Sequence, residues 1–130
     1  MSRRILLIED NEQNRYLLTF LLEQNGDCVR LAEDGLRGVE MARAETPDLI
    51  LLDIQLPRMD GYAVAAALRQ TEALRKVPIV AVTSYAMAGD REKALAAGCD
   101  GYIEKPINPD TFVAEIAQFT QPGRAIREMP

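Results

Sequence analysis

Five side chains that could take part in chemistry each come after a short apolar run of the sequence. They are Glu9 and Asp10 after residues 5–8, Asp53 after residues 49–52, Thr83 after residues 79–82, and Lys105 shortly after residues 102–103. In an open parallel α/β sheet, ligands bind beyond the carboxyl ends of the strands, where the strand order reverses. We therefore expect these side chains to meet at one edge of a sheet, with Asp10 beside Asp53.

Three carboxylates, from Glu9, Asp10 and Asp53, would repel one another there and so favour a bound cation. Oxygen ligands without sulfur or imidazole favour Mg²⁺, which keeps several waters and bridges to phosphate. A carboxylate can attack a phosphoryl group, and we expect Asp53 to do so. Lys105 would pair with one phosphoryl oxygen, and the Thr83 hydroxyl would hydrogen-bond another.

The elements that would position these residues alternate between strands and helices. Unbroken apolar runs predict buried strands at residues 5–8, 49–52, 79–82 and 102–103, and alternation predicts a more exposed edge strand at residues 28–31. Helical spacing predicts helices over residues 12–24, 35–45, 90–97 and 110–119, with one more following Asp60-Gly61. The predicted fold class is α/β: a flavodoxin-like, doubly wound five-stranded parallel sheet of order 2-1-3-4-5 with five helices.

The helix sequences also predict caps and buried faces. Asn11 should cap the first helix and Gly26 should end it, while the second helix should bury Leu36 and Val39. The fourth helix offers mostly alanines and Leu95, so it should bury the least apolar area. We expect that helix to move most readily.

Length and composition indicate one cytoplasmic domain of residues 1–120 followed by a flexible tail of residues 121–130. The net charge of -5 disfavours nucleic acid as a partner, and the apolar runs are too short to span a membrane. Cys28 and Cys99 lack metal-site spacing, so we expect reduced thiols in or near the core.

Taken in order, these motifs resemble the receiver domain of two-component response regulators. The likeness covers residues 3 to 120 and rests on Ile8-Glu9-Asp10-Asn11, Leu52-Asp53-Ile54-Gln55-Leu56-Pro57, Met59-Asp60-Gly61, Val82-Thr83 and Tyr102-Ile103-Glu104-Lys105-Pro106. One such segment alone would be weak evidence, whereas the ordered set, each after its strand, is highly specific.

The resemblance implies a role for each of these residues. Asp53 would be the phosphoacceptor, and Mg²⁺ would be held by Asp10, Asp53, the backbone carbonyl of Gln55 and, through water, Glu9. Thr83 and Tyr102 would then switch position and alter the face formed by the fourth helix, fifth strand and fifth helix. The resemblance also implies a cis peptide between Lys105 and Pro106.

As a whole, the chain resembles stand-alone regulators of the DivK type. Such a regulator would receive its phosphoryl group from a histidine kinase or histidine phosphotransfer protein and signal to a downstream protein target. It would catalyse only its own phosphorylation and dephosphorylation, and we expect a monomer. Donor docking is expected near Tyr16, and Tyr85 and Gln55 are hypothesised to slow loss of the phosphoryl group.

Alternative functions remain open on the sequence. A pseudo-receiver could bind partners without phosphorylation, and receivers of hybrid kinases or phosphorelays share much of this sequence. An aspartate-nucleophile phosphatase is disfavoured because Gln55 stands where a second aspartate would act as general acid. A flavodoxin-like electron carrier is disfavoured because Glu9 and Asp10 would repel a cofactor phosphate.

Overall fold

The computed structural model describes residues 3–56, 59–83 and 89–119. The strands are β1 (Arg4–Ile8), β2 (Cys28–Ala32), β3 (Leu49–Asp53), β4 (Ile79–Thr83) and β5 (Gly101–Glu104). The helices are α1 (Glu12–Gln24), α2 (Gly35–Ala44), α3 (Gly61–Gln70), α4 (Asp90–Ala97) and α5 (Phe112–Ala117), with a 3₁₀ turn over Glu72–Leu74.

The five strands form one parallel sheet in the order β2-β1-β3-β4-β5, which confirms the predicted fold class. Strand order reverses between β1 and β3, where Ile8 is the register partner of Leu52. On the other side of β3, Asp53 pairs with Val82 of β4. The alternating segment forms β2, which lies at the edge of the sheet as predicted.

Successive strand residues feed two separate cores, which explains the unbroken apolar runs. Leu6, Ile8 and their neighbours on the same face pack beneath α2, α3 and α4. Ile5 and Leu7 point the other way, into the core beneath α1 and α5. Because both faces of the central strands are covered, no polar residue is needed at alternate positions.

Side-chain caps set the starts of α1, α2 and α3, whereas α4 and α5 begin without one. The Asn11 side chain accepts a hydrogen bond from the Asn14 N–H at 2.9 Å, and Asp60 accepts one from Tyr62 at 3.0 Å. The bounds of α1 and α4 match the predicted ranges. In α4 the one residue recorded as buried is Ala94, which confirms its weak packing within the described part of the chain.

Some predicted details are wrong. Leu36 is 62% exposed because the inward positions of α2 are taken by Gly35, Gly38, Val39 and Ala42, and Leu36 lies one residue off that stripe. Cys99 is buried as expected, but Cys28 is exposed because it begins the edge strand β2. Helix α5 is shorter at both ends than predicted. Residues 121–130, the predicted tail, lie outside the described residues.

An arginine cluster at the amino edge of the sheet was not predicted from the sequence. Arg69, at the end of α3, donates to the carbonyls of Leu74 at 2.7 Å, Val77 at 2.7 Å and Gly98 at 2.8 Å. Its guanidinium also pairs with the buried Asp100. These contacts tie together two connections, from α3 to β4 and from α4 to β5, at the edge of the sheet opposite the acidic residues.

Candidate functional site

The three acids predicted to meet do so at the carboxyl edge of β1 and β3. Glu9, Asp10 and Asp53 each offer a carboxylate oxygen, and these atoms all lie within 4.8 Å of one another. Glu9 and Asp53 are buried, whereas Asp10 is exposed. The cluster therefore has a buried floor and an open side through which a ligand can enter.

Lys105 reaches this cluster from the end of β5. Its Nζ lies 2.9 Å from Glu9 Oε1 and 3.6 Å from Asp53 Oδ2. The backbone N–H of Lys105 donates to the Thr83 carbonyl at 2.7 Å, which fixes the connection after β5 against the end of β4. The Lys105–Pro106 peptide is cis, as the resemblance implied.

Thr83 ends β4 and is buried at 2% exposure. It follows Val82, the register partner of Asp53, so the two side chains occupy neighbouring strand ends. The position is the one from which a hydroxyl could contact a group attached to Asp53.

The connection from β3 to α3 shapes the surroundings of Asp53. Gln55 N–H donates to Asp53 Oδ1 at 2.9 Å, and Gly61 N–H donates to the Ile54 carbonyl at 3.2 Å. A Cβ atom at Gly61 would lie 2.5 Å from Ile54 Cα and 2.9 Å from the Asp53 carbonyl oxygen. Only a glycine lets α3 begin this close to the phosphoacceptor candidate.

The electrostatics of the cluster show an excess of negative charge. The pKa of Glu9 is raised from 4.5 to about 7, first because burial penalises its charged form. Protonated Glu9 can donate a hydrogen bond to Asp53, which raises the pKa of Glu9 further, while Lys105 lowers it. One lysine therefore does not fully neutralise the buried carboxylates.

This donor set fits a hard divalent cation. Carboxylate oxygens dominate it, and the raised pKa of Glu9 is the behaviour expected of a cluster that lacks enough positive charge. Zn²⁺ sites in proteins draw mainly on cysteine and histidine, and the chain has no histidine. The residues present suit Mg²⁺ better than a softer metal.

Arg15, in the second turn of α1, contacts the site in a way the sequence did not reveal. Its guanidinium donates to the carbonyls of Glu9 at 3.2 Å and Asp10 at 3.0 Å, and its own N–H donates to the Asn11 carbonyl at 2.9 Å. A basic residue five positions after Asp10 was the available signal, but helical arginines usually lie in solvent.

Tyr102 occupies β5 next to Ala81 and is half-buried. Its hydroxyl oxygen is buried and has no hydrogen-bond partner among the described residues, so it does not point into water. Burial, with a smaller contribution from Asp90, raises the pKa of Tyr102. The hypothesis about Tyr85 concerns a residue outside the described ranges.

Fold and site together define a class: a doubly wound α/β domain with an acidic, metal-competent crevice at its topological switch point. A sequence profile described as "Response regulator receiver domain" matches residues 5–117. The chain belongs to the receiver domain family of two-component response regulators, whose general activity is to accept a phosphoryl group. No helix in the described ranges has the length and apolar character needed to cross a bilayer.

Individual relatives agree with this assignment. The chain is 40% identical over 119 residues to the polar-differentiation response regulator DivK of Brucella ovis, covering 92% of this chain and 97% of that one. It is 36% identical to the receiver domain of a Pseudomonas aeruginosa sensor histidine kinase, with a TM-score of 0.85 and coverage of 92% and 98%. That structure has a magnesium ion coordinated in its active-site cleft.

The fold extends to more distant proteins. A chemotaxis response regulator of Vibrio cholerae superposes with a TM-score of 0.87 at 24% identity, over 92% of this chain and 99% of that one. At this identity the likeness concerns the fold alone, which confirms the predicted flavodoxin-like architecture.

Proposed function

We propose that this chain is a single-domain response regulator that accepts a phosphoryl group on Asp53 from a phosphohistidine donor, with Mg²⁺ bound at the adjacent acids. The observation that carries the proposal is the position of Asp53, which lies within 4.8 Å of two further carboxylates and 3.6 Å from Lys105 Nζ. A nucleophile, a cation site and a fixed positive charge thus converge on one point.

In the proposed reaction, a carboxylate oxygen of Asp53 forms a bond to phosphorus while the phosphorus–nitrogen bond of phosphohistidine breaks. The electron pair of that bond stays on the imidazole nitrogen, and the donor's ring leaves as neutral histidine because its other nitrogen carries a proton. Lys105 balances charge on one phosphoryl oxygen, and the Thr83 hydroxyl donates to another. Mg²⁺, when bound, neutralises charge on the transferring group.

The residues proposed to hold Mg²⁺ are Asp10 and Asp53 directly, Gln55 through its backbone carbonyl, and Glu9 through water. The 4.8 Å cluster supports the carboxylate part of this set. The magnesium-containing receiver from Pseudomonas aeruginosa supports the choice of metal. Thr83 and Tyr102 are proposed as the switch pair that reports phosphorylation to the face formed by α4, β5 and α5.

The likeness to DivK over nearly its whole length supports a regulator that acts on protein partners. In this proposal residues 1–120 form the receiver, residues 121–130 a tail, and the protein is a cytoplasmic monomer. Its donor is a histidine kinase or histidine phosphotransfer protein, because the chain has no histidine of its own. It catalyses only its own phosphorylation and dephosphorylation, and its output is the binding of a downstream protein.

The deciding experiment is intact mass spectrometry after incubation with acetyl phosphate and Mg²⁺. Wild type should gain a single phosphoryl adduct, whereas Asp53→Asn and a wild-type sample with EDTA should gain none. Asp100→Asn is a matched control, since it also neutralises a buried aspartate but lies at the opposite edge of the sheet. No adduct on the wild type would favour a pseudo-receiver that signals by binding alone.

The donor is proposed to dock on a groove beside α1, which has a volume of about 450 Å³. Tyr16, Phe20 and Leu31 line it and are 76%, 48% and 43% exposed. Glu12 and Arg15 also line the groove, and both lie at the start of α1, directly after the loop that carries Glu9 and Asp10. Exposed aromatic side chains of this kind are frequent anchors at protein interfaces.

Tyr16→Arg tests this docking surface. With a phosphohistidine protein that phosphorylates wild type as the donor, the substitution should slow phosphotransfer by about tenfold or more, as loss of an interface anchor would. Phosphorylation by acetyl phosphate should be unchanged, because this small donor needs no docking. Leu36→Arg is the control, since Leu36 is 62% exposed on α2. Equal transfer to wild type and Tyr16→Arg would exclude docking through Tyr16.

A further inference from the structure

Arg15 lies outside the proposed ligand set, yet its side chain holds the backbone of the loop that carries two of the acids, Glu9 and Asp10. The guanidinium donates to the carbonyls of Glu9 and Asp10, at 3.2 and 3.0 Å, and the backbone N–H of Arg15 donates to the Asn11 carbonyl at 2.9 Å. The bond to Asn11 is the first backbone bond of α1, whereas the bonds to Glu9 and Asp10 come from the arginine side chain and restrain the peptide planes after β1.

The orientation matters because the loop carries like charges. Glu9 and Asp10 are adjacent in the chain and share their cluster with Asp53, so their carboxylates repel one another before a cation arrives. A loop without a restraint would relax by turning Asp10, the exposed member, away from the other two. Hydrogen bonds to the carbonyls on the α1 side oppose that rotation.

Within the described parts of the chain Arg15 forms no salt bridge, although other arginines do, such as Arg37 with Glu40 at 3.8 Å. The guanidinium donates to two backbone oxygens, and hydrogen bonds from a charged donor are about twice as strong as those from a neutral one. One guanidinium nitrogen, Nη1, donates to both carbonyls, and the rigid planar group loses less side-chain freedom per hydrogen bond than a flexible lysine ammonium does.

We propose that Arg15 is a positioning residue for the cation site: it holds the Glu9-Asp10 loop in the arrangement that binds Mg²⁺ before the ion arrives. The inference rests on the proposed function, since it concerns that same site. Arg15 contacts neither the phosphoryl group nor the ion. Its effect lies in the affinity for Mg²⁺ and not in the chemical step.

Isothermal titration of metal-free protein with Mg²⁺ tests this directly. Arg15→Met should weaken Mg²⁺ binding about tenfold, the lower end of the loss caused by removing partners that orient metal ligands. Arg15→Lys should lie between Arg15→Met and wild type, because it keeps the charge but not the rigid planar group that holds both carbonyls. Arg37→Met, which removes one exposed arginine from α2, should bind Mg²⁺ like wild type.

A second readout separates positioning from a general loss of structure. Initial rates of phosphorylation by acetyl phosphate, measured against Mg²⁺ concentration, should approach the wild-type maximum for Arg15→Met at saturating Mg²⁺. Thermal unfolding in EDTA identifies a variant that fails to fold, and if Arg15→Met does so, Arg15→Lys decides the question.

The outcomes distinguish the inference from the proposed function. Binding of Mg²⁺ by Arg15→Met and Arg15→Lys within twofold of wild type overturns the positioning role alone. A maximal rate that stays low at saturating Mg²⁺ also overturns it, because Arg15 would then act in the chemical step. Wild type that does not bind Mg²⁺ would overturn both the proposed function and this inference.

Discussion

The protonation state of Glu9 depends on opposing effects from burial and from the charges around it. It is 1% exposed, it accepts a hydrogen bond from Lys105 Nζ at 2.9 Å, and it lies beside Asp53. Burial and the neighbouring aspartate favour its protonated form, and Lys105 favours its charged form. Because the first two effects prevail, metal-free protein holds a proton here at a pH where an ordinary glutamate has lost it.

This gives a pH dependence of stability in EDTA. The pKa of Glu9 is raised from 4.5 to about 7, so the folded state binds the proton more tightly than the unfolded state does. The contribution to the free energy of unfolding is fully present below about pH 4.5 and is lost as pH rises to 7. Urea unfolding between pH 4.5 and 8 measures this contribution as the difference in the free energy of unfolding between wild type and Glu9→Gln.

We expect wild type to lose on the order of 2 kcal/mol relative to Glu9→Gln across that range. Glu104→Gln serves as the control, because Glu104 is an exposed acid near the same edge and should follow wild type. A constant difference between wild type and Glu9→Gln at every pH would contradict the raised pKa.

At the residue scale, the sequence predicted which side chains meet but not how they are held. Glu9, Asp53 and Lys105 could be placed because each follows a strand, and parallel strands end at one edge. The role of Arg15 could not be predicted, because its partners are backbone carbonyls. Every residue has one, so the residue types in the sequence do not identify these partners. The sequence did not indicate where the Tyr102 hydroxyl lies, and the structure places it inside.

The connection between β3 and α3 is the element on which the geometry of Asp53 most depends. Gly61 begins α3 and touches the backbone of Ile54, where a Cβ atom would come within 2.5 Å of Ile54 Cα. Backbone cannot move aside as a flexible side chain can. Any larger residue at Gly61 must displace the segment that follows the phosphoacceptor candidate.

Gly61→Ala should therefore lower both stability and phosphorylation. We expect a loss of about 1–3 kcal/mol in the free energy of unfolding, as for other overpacked sites, together with a slower reaction with acetyl phosphate. Gly35→Ala is a matched control, since Gly35 begins α2 and its added Cβ would meet the Val64 side chain at 2.5 Å. That variant should lose stability but react at the wild-type rate when folded.

Chemical denaturation and the mass assay together check this pair. A Gly61→Ala protein that is phosphorylated as fast as wild type would show that the β3–α3 backbone adapts without cost to the site.

At the element scale, strands and most helices were predictable because burial on both faces leaves unbroken apolar runs. The inward faces of the helices were less predictable. The helical spacing placed Leu36 in the core, yet glycines occupy the inward face of α2, because α2 approaches β1 closely where Gly38 meets Ile8. Close approach depends on the neighbouring element, which local periodicity does not describe. The Arg69 cluster escaped prediction for the same reason.

At the scale of the whole molecule, the cation site is formed by the ends of two strands, β1 and β3, that are separated in sequence. Binding of an ion therefore depends on the complete fold. A ligand that binds the folded state alone stabilises it, by about 2.7 kcal/mol at one hundred times its dissociation constant. Mg²⁺ at that excess should raise the melting temperature by roughly 5–15 °C for a domain of this size.

Differential scanning calorimetry with and without Mg²⁺ measures the shift. Asp10→Asn should remove most of it, because Asp10 is one of the clustered carboxylates. Glu72→Gln, which changes an exposed acid ahead of β4, should keep the full shift. An equal shift in Asp10→Asn and wild type would mean that Mg²⁺ acts elsewhere on the protein.

The ion pair between Lys105 and Glu9 joins residues 96 positions apart, nearly the whole length of the described chain. A ribosome makes the acids of β1 and β3 long before it makes the lysine that offsets their charge. A nascent chain, even with its first strands paired, therefore lacks the cation that completes the site. The proposed site is therefore complete only after residue 105 has been synthesised and β5 has joined the sheet, so a shorter nascent chain would not carry it.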